Sequence, residues 1–344
     1  MKQRKGISGL VLTLLMILLA ACGNAGTNNA SPGGSAESPS TADKPQAETG
    51  AVGAGAGPIT IQHDKGTLTL DKPATRVVSL DWLFTESLVA LDMQPVGNAE
   101  NEEYKNWVTS EAAVTDEVVE LGIKDEPDLE AIVALKPDLI IAGTAYQEGI
   151  YEQLNAIAPT MMFTQYPADG DQYTRMMDIF HEIAAAVGKT EEAAQYVAGL
   201  DRHYEEAKAK LAAAGKADLP YILVQGRSDQ NAAALWTMTE TSMAIQTLNH
   251  IGLQNVWKPE KFEQYGYTDT SIEALIAVQN ATLLSVAQQT DDVFNRQLAS
   301  NAVWNDLAFV KDNRHYALDG STWLFGGPVS AKVLVDEVVK SLLP

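Results

Sequence analysis

An α/β chain of two lobes, each on a parallel-rich sheet and joined by one long helix, is what this sequence predicts. Three observations predict it. Short apolar strands alternate with helical stretches over most of the 344 residues. Ala193, Val197, Leu200, Tyr204, Ala207 and Leu211 recur at spacings of four and three, giving one apolar stripe along a single rod. Residues 128–141 align without gaps against residues 271–284, at an offset of 143. Both copies read as a polar start, a Glu (Glu130 or Glu273), a short apolar helix, a turn and a buried strand.

The elements follow in order. Ile59–His63 and Gly66–Leu70 alternate apolar and polar residues around Asp64-Lys65, which predicts an opening hairpin. Strands are expected at 77–80, 95–97, 139–141 and 161–163 in the first half, and at 221–224, 283–286 and 316–318 in the second. Between the halves, Thr190 is suited to cap the joining helix, and Glu191 and Glu192 suit the dipole of its first turn. Gly215 supplies the stop. A rod of about 24 residues is about 36 Å long, enough to hold two lobes apart at a set distance.

The ends and the charge narrow the class. Lys2, Arg4 and Lys5 precede an apolar run from Ile7 to Leu19. That run is too short to span a bilayer but has the build of an export signal. Residues 23–57 are Gly, Ala, Ser, Thr, Asn and Pro with almost no large apolar side chain, a composition that cannot offset its ordering entropy and reads as a linker. Five spans result: leader 1–21, Cys22 with the linker to 57, an N-terminal lobe 58–188, the interlobe helix 189–216 and a C-terminal lobe 217–344. Cys22 is the only cysteine, so packed cores rather than disulfides carry the stability. Net charge is −21, and about −24 without the basic leader residues, which excludes nucleic acid as a natural partner.

No reaction is specified. The Gly-x-Ser-x-Gly elbow and His-Glu-x-x-His are absent, and the five histidines are scattered. A hydrolase reading therefore lacks its nucleophile–base pair, and no cofactor is called for. Binding reads better. Ligands of open α/β sheets lie beyond the carboxyl ends of strands. There the sequence places Trp82, Tyr104 and Tyr146 in the first half, and Arg227, Gln288 and Trp323 in the second. Trp236, Tyr265 and Tyr267, in polar stretches, can reach the same cleft. Arg227 is the cation expected to grip an anionic oxygen. Gly326-Gly327 before Pro328 is expected to let backbone N–H groups approach a ligand at the last helix. A haem or corrinoid is a second reading, with Tyr265 or Tyr267 as axial ligand.

Several segments together carry a family resemblance. They are Leu19-Ala-Ala-Cys22, Arg76-Val-Val-Ser-Leu80 with Glu86, the 127–141 segment, Gln153-Leu-Asn-Ala-Ile-Ala-Pro159, and Asp319-Gly-Ser-Thr-Trp323-Leu-Phe-Gly-Gly-Pro328. On these the chain resembles the substrate-binding lipoproteins of bacterial iron–siderophore ABC importers, and most closely the ferric-citrate-binding branch of Gram-positive bacteria. The resemblance implies a class III periplasmic-binding-protein-like fold with little hinge closure. It implies a lipidated Cys22 anchoring a monomer on the extracytoplasmic face of the cell membrane. It also implies a ferric siderophore whose own atoms hold the iron, so no protein metal site. Glu130 and Glu273 match the acidic residues that dock on the ABC permease subunits, which a cytoplasmic ATPase drives. One departure stands out: relatives that take anionic ferric complexes commonly have arginines where this chain has Tyr146 and Trp236. That departure points to a ligand less anionic, or larger and more aromatic, than citrate.

Overall fold

A computed structural model describes residues 57–230 and 232–343; the expected leader, Cys22 and the expected linker up to residue 56 lie outside the described residues. β1 (Ile59–His63) and β2 (Gly66–Leu70) form the expected hairpin, with Ile59 opposite Leu70. β3 (Val77–Ser79), β4 (Gly97–Asn98) and β5 (Val119–Glu120) follow, then a two-stranded ribbon of β6 (Gly122–Ile123) and β7 (Glu126–Pro127). β8 (Leu139–Gly143) and β9 (Thr160–Phe163) complete a five-stranded sheet, ordered β5-β4-β3-β8-β9 and parallel at every pairing. β3, β8 and β9 are buried, largely apolar runs, as strands covered on both faces require, whereas β5 at the edge is exposed. The strand expected at 95–97 begins two residues later, because Pro95 has no N–H to give; Val96 N–H makes the first bond, to Val77 O.

The second sheet departs more from expectation. It holds β10 (Pro220–Asp229), β11 (Ala232–Met238), β12 (Gln254–Asn255), β13 (Tyr267–Thr270), β14 (Thr282–Val286) and β15 (His315–Ala317). Along the order β13-β11-β10-β14-β15, the β10, β14 and β15 side is parallel, as foreseen. β11 and β13 extend the other side antiparallel. Ala232–Met238 was not expected as a strand. Its Ala, Leu and Met are helix formers, and pairing on both sides overrides that local preference.

Helices α1 (Trp82–Ala90), α2 (Asn101–Trp107), α3 (Leu129–Leu135), α4 (Thr144–Gln147), α5 (Tyr151–Ile157) and α6 (Gln172–Ala186) accompany the first sheet. α7 (Thr190–Ala213) follows. α8 (Met243–His250), α9 (Ala302–Asp306), α10 (Ala308–Lys311) and α11 (Pro328–Leu342) accompany the second sheet. α7 has the expected 24 residues, but Thr190 is its first helical residue and Lys189 stands at the cap without a side-chain bond. Gly215 takes φ +70° just past the end, and its N–H reaches Ala212 O.

The stripe on α7 is shared. Ala193, with Tyr196 and Val197 beside it, packs into a core that also holds Phe84, Phe163, Ile179 and Phe180. Leu200, Tyr204, Ala207 and Leu211 pack into a second core with Leu223, Leu248, Leu284 and Leu334. Polar contacts tie the same two bodies. Gln172 Oε1 accepts from Met243 N–H at 3.1 Å, and Gln288 Nε2 donates to Asn106 O at 2.8 Å.

Glu86 of α1 makes the most buried of these ties. Fully buried, it accepts Ser330 N–H at 2.9 Å and Ser330 Oγ–H at 2.8 Å at the start of α11. A Cβ at Gly326 would run into its Oε1. The glycine pair expected to admit a ligand thus makes room for this carboxyl group. Burial, against the pull of the Ser330 donors, raises the Glu86 pKa to about 7.

The repeated unit is present twice with unequal helices. In the first copy Asp128 caps α3, its Oδ1 accepting from Ala131 N–H at 3.0 Å. In the second, Ser271 Oγ lies 3.4 Å from Ala274 N, and Glu273–Val278 is a 3-10 helix. The weaker cap accompanies the tighter, less regular turn.

Candidate functional site

A cavity of about 310 Å³ opens among residues from both sheets. Trp82 stands directly after β3, with Asp81 capping α1 by accepting from Leu83 N–H at 3.1 Å. Lys124 sits at the turn of the β6–β7 ribbon, Tyr146 on α4 just past β8, and Tyr166 beyond β9. The second half contributes Trp236 from β11, Tyr267 from β13, Tyr265 just before it, and Trp323 and Phe325 on the approach to α11. Eight of the eleven lining residues are aromatic, so the cavity offers flat apolar faces with phenol and indole tips.

The rings form a connected band. Trp82 meets Trp323 at 5.0 Å between centroids, Trp323 meets Phe325 at 5.2 Å, and Phe325 stands edge-on to Tyr267 at 5.9 Å. Tyr166 and Tyr265 meet edge-to-face at 5.2 Å. Trp236 lies between diagonal neighbours on the two strands that flank β11. Tyr267 stacks on it at 4.3 Å, and the Arg227 guanidinium sits 4.4 Å from its ring centroid. Trp236 Nε1 donates to Asp269 Oδ1 at 2.9 Å and Trp82 Nε1 to Ala99 O at 3.2 Å, so both indoles are oriented.

Five of the seven residues singled out for ligand binding come together here: Trp82, Tyr146, Trp236, Tyr265 and Trp323. Tyr104 does not line the cavity. Asn101 and Tyr104, three apart, form the buried face of α2, and the Tyr104 hydroxyl donates to Ala112 O at 2.6 Å while its ring meets the edge of Trp82. Arg227 does not line it either. β10 runs on through Arg227 to Asp229, which puts the guanidinium against Trp236 rather than beyond a strand end.

Lys124, Asp81, Tyr166 and Phe325 were not foreseen. Lys124 left little signal, because strands of two residues around Lys124-Asp125 look like any polar turn. Its ammonium is 3.6 Å from the Trp82 ring centroid, 3.6 Å from Glu100 Oε2 and 4.0 Å from Asp81 Oδ2, and its side chain is 11% exposed. Burial, then Asp81, pushes the hydroxyls of Tyr146 and Tyr166 well up, so both remain neutral donors. Among the described residues no cluster of three or more His, Cys, Asp or Glu is arranged to hold a metal ion.

Glu130 and Glu273 lie elsewhere, each exposed in the first turn of its helix. Three residues on from each, an aliphatic side chain is also exposed: Val133 at 55% and Ile276 at 47%.

The model of a family described as periplasmic binding protein matches residues 77–322. A putative ABC transporter substrate-binding lipoprotein of Bacillus subtilis, YhfQ, is 26% identical over 300 residues, 83% of this chain and 88% of that protein. The Fe(3+)-citrate-binding protein YfmC of the same organism is 26% identical over 333 residues, 96% of this chain and 95% of its own. Among solved structures, the siderophore-binding protein FhuD of Vibrio cholerae with bound Fe3+-Desferal superposes with a TM-score of 0.71 at 27% identity. It covers 78% of this chain and 98% of its own.

Proposed function

Since the chain belongs to the periplasmic binding protein family, we propose that it captures a ferric siderophore outside the cytoplasm and passes it to an ABC permease. The observation that carries this is the aromatic cavity built jointly by the two sheets, in a chain whose relatives bind ferric citrate and ferric Desferal. Its family and relatives are transporter binding proteins, not enzymes. Iron is cargo here, coordinated by the siderophore, while rings and phenol tips hold the organic shell.

Trp82, Tyr146, Trp236, Tyr265 and Trp323 are assigned to the ligand, while Tyr104 belongs to the core beside Trp82 and Arg227 stands against Trp236. Glu130 and Glu273 are assigned to the permease, each with a neighbouring exposed aliphatic side chain that a docked partner would cover. Cys22 is assigned the lipid anchor of a monomer. Relatives named as lipoproteins support this, and among the described residues no helix is long and apolar enough to cross a membrane.

Three tryptophans in the cavity give the test. Titration of the protein with ferric citrate, a ferric hydroxamate, a ferric catecholate and haemin, each beside its iron-free form, should produce saturable fluorescence quenching by a ferric siderophore. Quenching by haemin alone, with a Soret shift, would transfer the cavity to haem. Silence across the panel would remove the assignment.

A further inference from the structure

The charges around the cavity say more about the ligand than its aromatic lining does. Asp81 and Lys124 are the charged lining residues. The Lys124 ammonium faces Asp81, Glu100 and the Trp82 ring, so two carboxylates and an indole already answer its one positive charge. Arg227 makes no ion pair among the described residues, but it lies outside the lining, against the Trp236 ring, and Trp236 donates to the carboxylate of Asp269. The Tyr146 and Tyr166 hydroxyls, held neutral by burial, are uncharged donors. A net charge of −21 adds a repulsive long-range field for anions.

We infer that this cavity selects ferric chelates of zero or positive net charge, such as ferric trihydroxamates, over ferric dicitrate and ferric tricatecholates. The chemistry is simple: three monoanionic hydroxamates balance ferric iron, and a pendant ammonium makes the complex cationic. Three dianionic catecholates leave three negative charges, and ferric dicitrate is also an anion. An anion placed beside Asp81, with Glu100 near by, would meet like charge with no unpaired cation in the cavity lining. A neutral or cationic complex avoids that cost, stacks on the same rings and takes hydrogen bonds from Tyr146 and Tyr166.

The inference rests on the ferric-chelate reading, and one titration series separates the two. Full-length protein is titrated with ferric desferrioxamine B (cationic), a neutral ferric trihydroxamate of the ferrichrome type, ferric dicitrate and a ferric tricatecholate, at low and high salt. The expected result is affinity for the hydroxamates at least about tenfold above that for the anions. Salt should weaken the cationic complex and strengthen the anionic ones. The double variant D81N/E100Q, which frees Lys124, should raise ferric dicitrate affinity about tenfold and lower that for the cationic complex. Equal or tighter binding of ferric dicitrate or the tricatecholate by the unmodified protein overturns the charge assignment while the ferric-chelate reading stands. Failure of every ferric complex to bind overturns both. The comparison of the four complexes at high salt uses unmodified protein with its long-range field screened, so it decides the matter even if the double variant does not fold.

Discussion

The two halves build their sides of the cavity by different rules. In the first half every cavity residue follows a strand or sits at a turn: Trp82 after β3, Lys124 between β6 and β7, Tyr146 after β8 and Tyr166 after β9. This is the usual behaviour of a parallel sheet, whose strands end together on one side. In the second half the antiparallel strands β11 and β13 bring Trp236 and Tyr267 to the cavity from a sheet face. A parallel sheet offers ligands its loops, whereas an antiparallel extension offers them a wall. Walls are stiffer, because each side chain is set by ladder pairing and by its diagonal neighbours.

The hardest test of that comparison is whether both halves are needed for delivery. Reversal of both Glu130 and Glu273 to Lys should abolish uptake of the ferric chelate in cells while leaving binding by the purified protein intact. Each single reversal should reduce uptake about tenfold, since a like-charge contact replaces an attractive one. Normal uptake with both reversed would separate these positions from the permease.

Next comes a contrast between a ring in the core and a ring in the wall. Tyr104→Ala should cost about 3–5 kcal/mol of stability, the usual range for a buried aromatic, with ligand affinity of the folded protein little changed. Trp236→Ala should do the reverse, lowering affinity at least about tenfold for a smaller loss of melting temperature. Denaturant curves paired with titrations measure both, and matching losses in the two variants would erase the distinction.

The halves also differ in how they meet acid. Glu86, raised to about 7 by burial, contributes stability that is present below about pH 4.5 and lost as pH rises through about 7. His315, lowered to about 4 by burial and bonded through Nε2 to Ser285 Oγ at 2.7 Å, has the opposite sign. Its contribution is present above about pH 6.5 and lost as pH falls through about 4. Each effect is about 3 kcal/mol. Unfolding free energies between pH 4 and 8 should show E86Q without the alkaline-side decline and H315Q without the acid-side one. A parallel shift of the whole curve in either variant would show that burial of that group is not the cause.

The smallest effect concerns the repeated unit. Asp128→Ala should cost about 1 kcal/mol through its lost cap, and Ser271→Ala only a few tenths. Equal costs would mean the two copies are capped alike.

This contrast also explains what could be read in advance. The repeat, the hairpin and the α7 stripe were legible because each depends on local spacing of apolar residues. The parallel strands β3, β8, β9, β10, β14 and β15 were legible because each contains a short apolar run ended by a turn, whereas β5 and β12, of two residues each and partly polar, were not. Ala232–Met238 was not, since its residues suit a helix and only its neighbours make it a strand. Arg227 was therefore read as lying beyond a strand that in fact continues through it. Tyr104 was assigned by its place after a strand, but the three-residue step from Asn101 turns it inward. Lys124 depends on Asp81 and Glu100, partners 43 and 24 positions away, which no local pattern reveals.

α7 carries one more consequence. Burial passes from one core to the other within the helix, between Val197 and Leu200, and not in the loop at either end. The two cores are therefore not interchangeable modules in the way that linker-joined domains are. A chimaera of two relatives joined in either flanking loop would force half of a foreign helix face into a core shaped for another. The natural seam for recombination lies inside the rod itself.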